Sequence, residues 1–249
     1  MVEKYITEEV WIKIFNFLKQ YKGIYCGENS KCKRFIEAIF WMARTGAQWR
    51  ELFETFGKWN SVFSRFNRWS KRGVWQKLLE FCSQDSDLEY VMIDSTIIRA
   101  HACAAGYGNQ REQGLGRSKG GFTSKIHLKV DALSNPLKTI ITSGNTNDIT
   151  QAEALLEGTF HSYVLADKGY DSRPLRESLI RKNCTPVIPS RSNALNPYKY
   201  DKHIYKERHS IECFFSKVKY FRRIFSRFDK SARNFASFIA FVGSLIWLL

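Results

Sequence analysis

The sequence predicts an α/β fold: a mixed sheet with flanking helices, preceded by a small all-helical region. Three observations carry this. Apolar residues recur at helical spacing through the first 84 residues. Short apolar, β-branched runs then take over, two of them ending in aspartate. The chain returns to helical spacing after about residue 205.

In the N-terminal part, Lys31 to Thr45 sets Phe35, Ile36, Ile39, Phe40 and Met42 near one face, and Gly46 is placed to stop that helix. A second helix is expected from Trp59 to about Arg72, ended by Gly73. Trp59, Val62, Phe63, Phe66 and Trp69 make its inward stripe, and Arg65, Arg68 and Arg72 share another face. Several short helices with one basic face fit a helix-turn-helix-like DNA-binding domain over residues 1–84. The polar run Ser83-Gln84-Asp85-Ser86-Asp87 reads as a linker, leaving 85–249 as the second domain.

Beyond it, Tyr90 to Asp94 is a strand ending in an acid. Lys125–Val130 and Leu137–Thr142 form a hairpin around Ser134-Asn135-Pro136. Tyr163 to Asp167 repeats the strand-then-aspartate form. A helix from Arg173 to Lys182, a strand at Thr185–Ile188 and helix from about Tyr205 to the end complete the pattern. Strand, hairpin, helix, strand, helix, strand, helix is the element order of an RNase H-like α/β domain. Gly106 to Gly121, with Arg111, Arg117 and Lys119, lacks the G-K-[ST] of a P-loop and reads as a mobile basic loop.

Charge points to the partner. The 249 residues carry a formal net +15. Fifteen Lys/Arg against eight Asp/Glu lie in 1–84, twelve of each in 85–190, and twelve against four in 191–233. A neutral centre between two basic flanks suits a chemical core that grips nucleic acid from both sides. Six cysteines without a C-x-x-C pair, and five scattered histidines, give no zinc framework and suggest reduced thiols in the cytoplasm. The opening Val2-Glu3-Lys4 does not read as a signal peptide. The apolar run Phe235–Leu249 is shorter than the roughly 20 residues of a membrane span, so a buried core helix is expected instead.

Asp94 and Asp167 stand at the carboxyl ends of strands expected to be parallel, where open α/β sheets place their ligand sites. Carboxylate oxygens suit hard cations, and phosphodiester chemistry uses two of them. Two strand-end aspartates need a third acid from a crossing helix. Tyr205, Arg208, Glu212 and Lys219, at spacings of three, four and seven, project from one side of such a helix. Ile211, Phe214, Phe215 and Val218 give it an adjacent apolar face with which to dock on the sheet.

This Tyr205-x2-Arg208-x3-Glu212-x6-Lys219 pattern resembles the signature of a large branch of bacterial insertion-sequence DDE transposases. Asp94-Ser95-Thr96-Ile97-Ile98-Arg99-Ala100-His101 resembles the family's first-aspartate motif, and Leu165-Ala166-Asp167-Lys168-Gly169-Tyr170-Asp171 its second. Gly116 to Lys125 resembles its basic glycine loop, and Arg44-Thr45-Gly46-Ala47-Gln48-Trp49-Arg50 its leading helical module. Phe53 departs from the pattern, standing where relatives usually carry proline.

The resemblance implies that Asp94, Asp167 and Glu212 bind two Mg²⁺ or Mn²⁺ ions for cleavage at transposon ends and strand transfer into target DNA. It implies double-stranded DNA as partner, both terminal inverted repeats and target, with a homodimer in the DNA complex, no membrane, and a bacterial cytoplasmic, nucleoid-associated location. Tyr205, Arg208, Lys219, Arg117, Lys119, Lys125, Arg65, Arg68 and Arg72 are the expected DNA contacts. Asp148 and Asp171, also near strand ends, read as turn residues, with support of the site as the alternative for Asp148. The alternatives are a nuclease of the same fold without strand transfer, or a DNA-binding protein descended from a transposase that has lost catalysis.

Overall fold

A computed structural model describes residues 6–118 and 121–249. The chain opens with four helices: α1 (Glu8–Gln20), α2 (Asn29–Thr45), α3 (Trp59–Lys71) and α4 (Val74–Cys82). Thr7 caps α1 by accepting the Val10 N–H, with Glu8 and Glu9 in the first turn where the helix dipole favours acids. Gly46 ends α2 in the left-handed conformation at φ 66°. A side chain there would meet Arg222 and Phe228 at 3.1 Å, so both backbone and space ask for glycine.

The strands follow: β1 (Tyr90–Ala100), β2 (Gly116–Ser118), β3 (Gly121–Val130) and β4 (Pro136–Ser143). Then come α5 (Ala152–Leu155), β5 (Tyr163–Leu165), α6 (Arg173–Arg181) and β6 (Thr185–Val187). The sheet order is β4-β3-β1-β5-β6, with β2 sharing the outer edge of β3. β3 is antiparallel to β1 and β4, whereas β5 and β6 run parallel to β1. This is the RNase H-like arrangement, with the long first strand at the centre. Asp131 fixes the β3–β4 hairpin by accepting the N–H groups of Leu133 and Asn135.

Residues 116–118, expected within a mobile loop, instead pair with β3. The C-terminal part, expected to be helical, is helical in four segments, α7 (Lys202–Tyr205), α8 (His209–Lys219), α9 (Arg222–Phe225) and α10 (Ala232–Leu248), with a two-residue strand β7 (Ser226–Arg227) before the last. β7 pairs in parallel with the far end of β1. Arg227 holds the β7 segment out of helix. Its fully buried guanidinium donates to Ser124 Oγ at 2.7 Å and to the carbonyls of Gly114, Asp229 and Lys230, a set no helical path would bring together.

Side-chain alternation divides the sheet into two packed faces. Met92, Ile98, Ile126, Leu128, Val130, Leu165 and Val187 join one apolar cluster with the N-terminal helices, α8 and α10. Val91, Ile93, Val164 and Ala166 pack on α5 and α6 from the other side. The first cluster runs without a break across the linker expected at 83–87. α10 lies buried between α4 and β4, and Trp247 donates to the Pro136 carbonyl at 2.8 Å. Arg44 donates to the Tyr220 carbonyl and Arg223 to that of Ala47, so the segment after α2 is also tied to the C-terminal elements. The 17-residue α10 is the buried core helix expected, and no helix among the described residues is long and apolar enough to cross a membrane.

Candidate active site

The register of two parallel strands positions the first two acids. Met92 on β1 pairs with Leu165 on β5, and Asp94 and Asp167 each follow two residues later on the same face. They therefore stand side by side where β5 ends and β1 continues. Asp167 Oδ1 accepts the Gly169 N–H at 2.8 Å and caps a short turn at Lys168–Tyr170. A β-carbon on Gly169 would lie 2.9 Å from that oxygen, so glycine leaves room for the cap.

Glu212 comes from α8, whose Ile211, Phe214, Phe215 and Val218 are buried against the same face of the sheet. The chain from Tyr205 to Lys219 is two helices joined by a tighter turn at Lys206–Arg208, and Arg208 stays one turn before Glu212. Arg208 bridges two acids: Nη1 donates to Asp94 Oδ2 at 3.0 Å and Nη2 to Glu212 Oε1 at 2.6 Å. Burial pushes the Asp94 carboxyl up to about 6. The Ser95 N–H and Arg208 oppose that rise, while the charges of Asp167 and Glu212 add to it. Burial also acts to raise Glu212, but bonds and charge from Arg208 and His209 outweigh it and leave the group below its ordinary value. As arranged here, no three acidic, histidine or cysteine side chains among the described residues stand close enough together to hold a cation.

Residues 85–247 match the family model described as "Transposase DDE domain", and residues 6–79 match "Putative transposase of IS4/5 family". The chain belongs to the DDE transposase family. A curated relative from Brucella ovis, "Putative transposase for insertion sequence element IS6501", is 39% identical over 133 residues, covering 51% of this chain and 99% of the relative. "Uncharacterized protein y4sN" from Sinorhizobium fredii is 36% identical over 127 residues, covering 51% and 95%. Among solved structures, the piggyBac transposase synaptic complex with hairpin DNA aligns with TM-score 0.43 at 14% identity, over 78% of this chain and 51% of that one. The Mos1 transposase paired-end complex aligns with TM-score 0.28 at 13% identity, over 83% and 93%. DDE transposases catalyse DNA cleavage and strand transfer, and they generally use divalent metal ions.

The other residues expected to touch DNA in this transposase separate into two groups. Arg68 and Arg72 are exposed on α3 and at its end, Arg117 is exposed on β2, and Lys219 is half-buried at the end of α8. Tyr205 lies beside Arg208, 5.8 Å from the guanidinium to the ring centroid. Lys119 lies outside the described residues. Two expectations need correction. Lys125 is buried and donates to Asp148 at 2.8 Å and to the Thr146 carbonyl at 2.7 Å, because its strand position points it beneath the β4 turn. Arg65 is spent inside the helical region, donating to the Cys26 carbonyl at 2.7 Å between the rings of Phe35 and Trp69, and Arg72, though exposed, donates to the nearby Gly23 carbonyl. Asp148 is expected from the sequence as a turn residue, with support of the acidic site as its alternative role. It does open a short turn at Asp148–Gln151, but its carboxylate also accepts from Ser95 Oγ at 2.7 Å. Nothing local to Asp148 signals that contact, since its partners come from two other strands.

Proposed function

We propose that Asp94, Asp167 and Glu212 are the catalytic acids of an insertion-sequence transposase that cuts DNA at the ends of its element and joins them to a target. The observation that carries this reading is the register that sets Asp94 and Asp167 side by side on adjacent parallel strands, under the helix that presents Glu212. The chemistry of the donor set fits Mg²⁺ or Mn²⁺: the three carboxylates offer hard oxygen ligands, and the charges of Asp167 and Glu212 both act on Asp94. Two such ions would activate the attacking hydroxyl and stabilise the leaving oxygen. Asp94 and Asp167, fixed by the Ser95 and Gly169 N–H groups, orient the cation-binding oxygens. Arg208 neutralises Asp94 and Glu212, and with cations held by these acids its fork would be available to backbone phosphate.

Tyr205, Lys219, Arg117, Lys119, Arg68 and Arg72 would hold double-stranded DNA, both the terminal inverted repeats and the target, with two copies of the chain in the complex. The helices of residues 1–84, α3 and α4 above all, would read the terminal repeat as a helix-turn-helix-like unit, and the protein would work in the cytoplasm at the nucleoid. Replacement Asp167→Asn keeps shape and removes the ligand charge. Loss of an outer partner of a metal ligand already costs about 10–100-fold, so loss of the ligand itself should lower cleavage by more than about a hundredfold. Binding to terminal-repeat DNA should persist. Wild-type cleavage by Asp167→Asn would refute the assignment.

A further inference from the structure

On the reverse face of the sheet, behind the paired aspartates, lies a polar cluster that the catalytic reading does not use. Lys125, His127 and Tyr170 are all buried, and Asp148 is partly so. Their placement follows from strand register: Ser95 on β1 lies opposite His127 on β3, and Ile97 opposite Lys125, so Ser95, His127 and Lys125 share one face. Asp148, arriving from the turn after β4, closes over that face. Its Oδ1 takes the Ser95 hydroxyl at 2.7 Å and the Lys125 ammonium at 2.8 Å, and His127 Nδ1 stands 3.7 Å away.

Two features mark this as more than an internal ion pair. First, His127 Nδ1 and the Tyr170 hydroxyl are both buried without a hydrogen-bond partner. A core assembled for stability alone seldom leaves polar atoms unsatisfied, because each costs on the order of 1–3 kcal/mol. Asp148, Asp94 and Asp167 are all close enough to Tyr170 for their charges to act on its hydroxyl. Second, the cluster touches the supports of both catalytic aspartates. Ser95 gives its hydroxyl to Asp148 and its backbone N–H to Asp94 Oδ1 at 2.7 Å. The turn that Asp148 opens packs against the Lys168–Tyr170 turn, which Asp167 caps.

We infer that Asp148 is a positioning residue for the cation site, holding Asp94 through Ser95 and Asp167 through the Lys168–Tyr170 turn from the opposite side of the sheet. This rests on the assignment of Asp94 and Asp167 as cation ligands. Asp148 touches neither DNA nor cation. It sets the angle at which two ligand carboxylates meet, and partners of this kind govern metal affinity by about 10–100-fold.

The experiment measures Mn²⁺ affinity of the full-length protein without DNA, by titration calorimetry or electron paramagnetic resonance, alongside thermal melting. Asp148→Asn should bind Mn²⁺ at least about tenfold more weakly. It should also melt lower, because Lys125 loses its counter-charge in a buried place. Asp148→Asn combined with Lys125→Met removes the stranded ammonium and should recover the melting temperature while Mn²⁺ binding stays weak. Ser95→Ala, which deletes only the connecting hydroxyl, should weaken Mn²⁺ binding with little change in melting. If the double variant regains both melting temperature and wild-type Mn²⁺ affinity, Asp148 serves stability alone and the inference is overturned. Wild-type Mn²⁺ affinity in Asp148→Asn overturns it as well. Asp94→Asn serves as reference: should it bind Mn²⁺ like wild type, the ligand assignment itself fails, an outcome distinct from failure of the Asp148 variants alone.

Discussion

Arg208 gives the most direct test of how the acidic site is held. Its guanidinium stands between Asp94 and Glu212, at 3.0 and 2.6 Å, a place a divalent cation would contest. The Asp94 side chain is 17% exposed, so its contact belongs with charge-assisted bonds worth about 1.5–3 kcal/mol. Glu212 is 47% exposed, and solvent screening holds that half to under about 1 kcal/mol. A cation entering the site would have to displace both contacts, at a cost of about 2–3 kcal/mol. Arg208→Gln keeps most of the bulk beside Tyr205 and removes the charge. Without DNA, its Mn²⁺ affinity should therefore rise about 30–100-fold over wild type, as 1.4 kcal/mol is a tenfold change. Cleavage should nonetheless fall, because the fork that would hold phosphate is gone. Calorimetric titration with Mn²⁺ measures the first effect and single-turnover cleavage the second, with Lys219→Ala as a control that leaves metal affinity alone. Unchanged or weaker Mn²⁺ binding in Arg208→Gln would refute the competition argument and make Arg208 a brace for the ligands instead.

Lys129 predicts a pH signature. It is buried, donating to Thr159 Oγ1 at 2.7 Å, and burial, together with the charges of Lys138 and Lys182, lowers it from 10.5 to about 8. The folded state thus disfavours the protonated form, so stability is reduced below pH 8 and rises as pH climbs from 8 to 10.5. The gain is at most about 3 kcal/mol, and Lys129→Met should be more stable at pH 7, with the wild-type advantage of alkaline pH absent. Urea melts of both proteins from pH 7 to 10.5 check this, and parallel stability curves would contradict it. Lys219→Ala should reduce the salt slope of DNA binding by about one unit across sequences, measured by fluorescence anisotropy over a salt series. An unchanged slope would remove Lys219 from the DNA interface. A fragment of residues 1–84, stripped of α10, should expose Trp75 and Phe66 and give no cooperative thermal melt by circular dichroism. A sharp melt would establish the N-terminal helices as an independent domain.

Much of the fold was legible in the sequence because its signals are local. Helical spacing in 31–45 and 59–72 and the apolar runs at Tyr90 and Tyr163 each depend on residues within a few positions of one another. The i, i+4 relation of Arg208 and Glu212 is equally local, and the two do bond. What tertiary structure alone decided is the fate of each charge. Arg65 and Arg68 are alike on a helical wheel, yet only Arg65 finds the Cys26 carbonyl waiting across the bundle. Lys125 and Lys219 are both basic residues near the acids, yet one is spent on Asp148 and the other is not. Arg227 breaks the last helical stretch because its acceptors come from the turn at Gly114 and from β3. Periodicity reports which side of an element faces inward. It carries no information on which distant backbone or carboxylate will be there, and for a buried polar group that partner determines both its energy and its task.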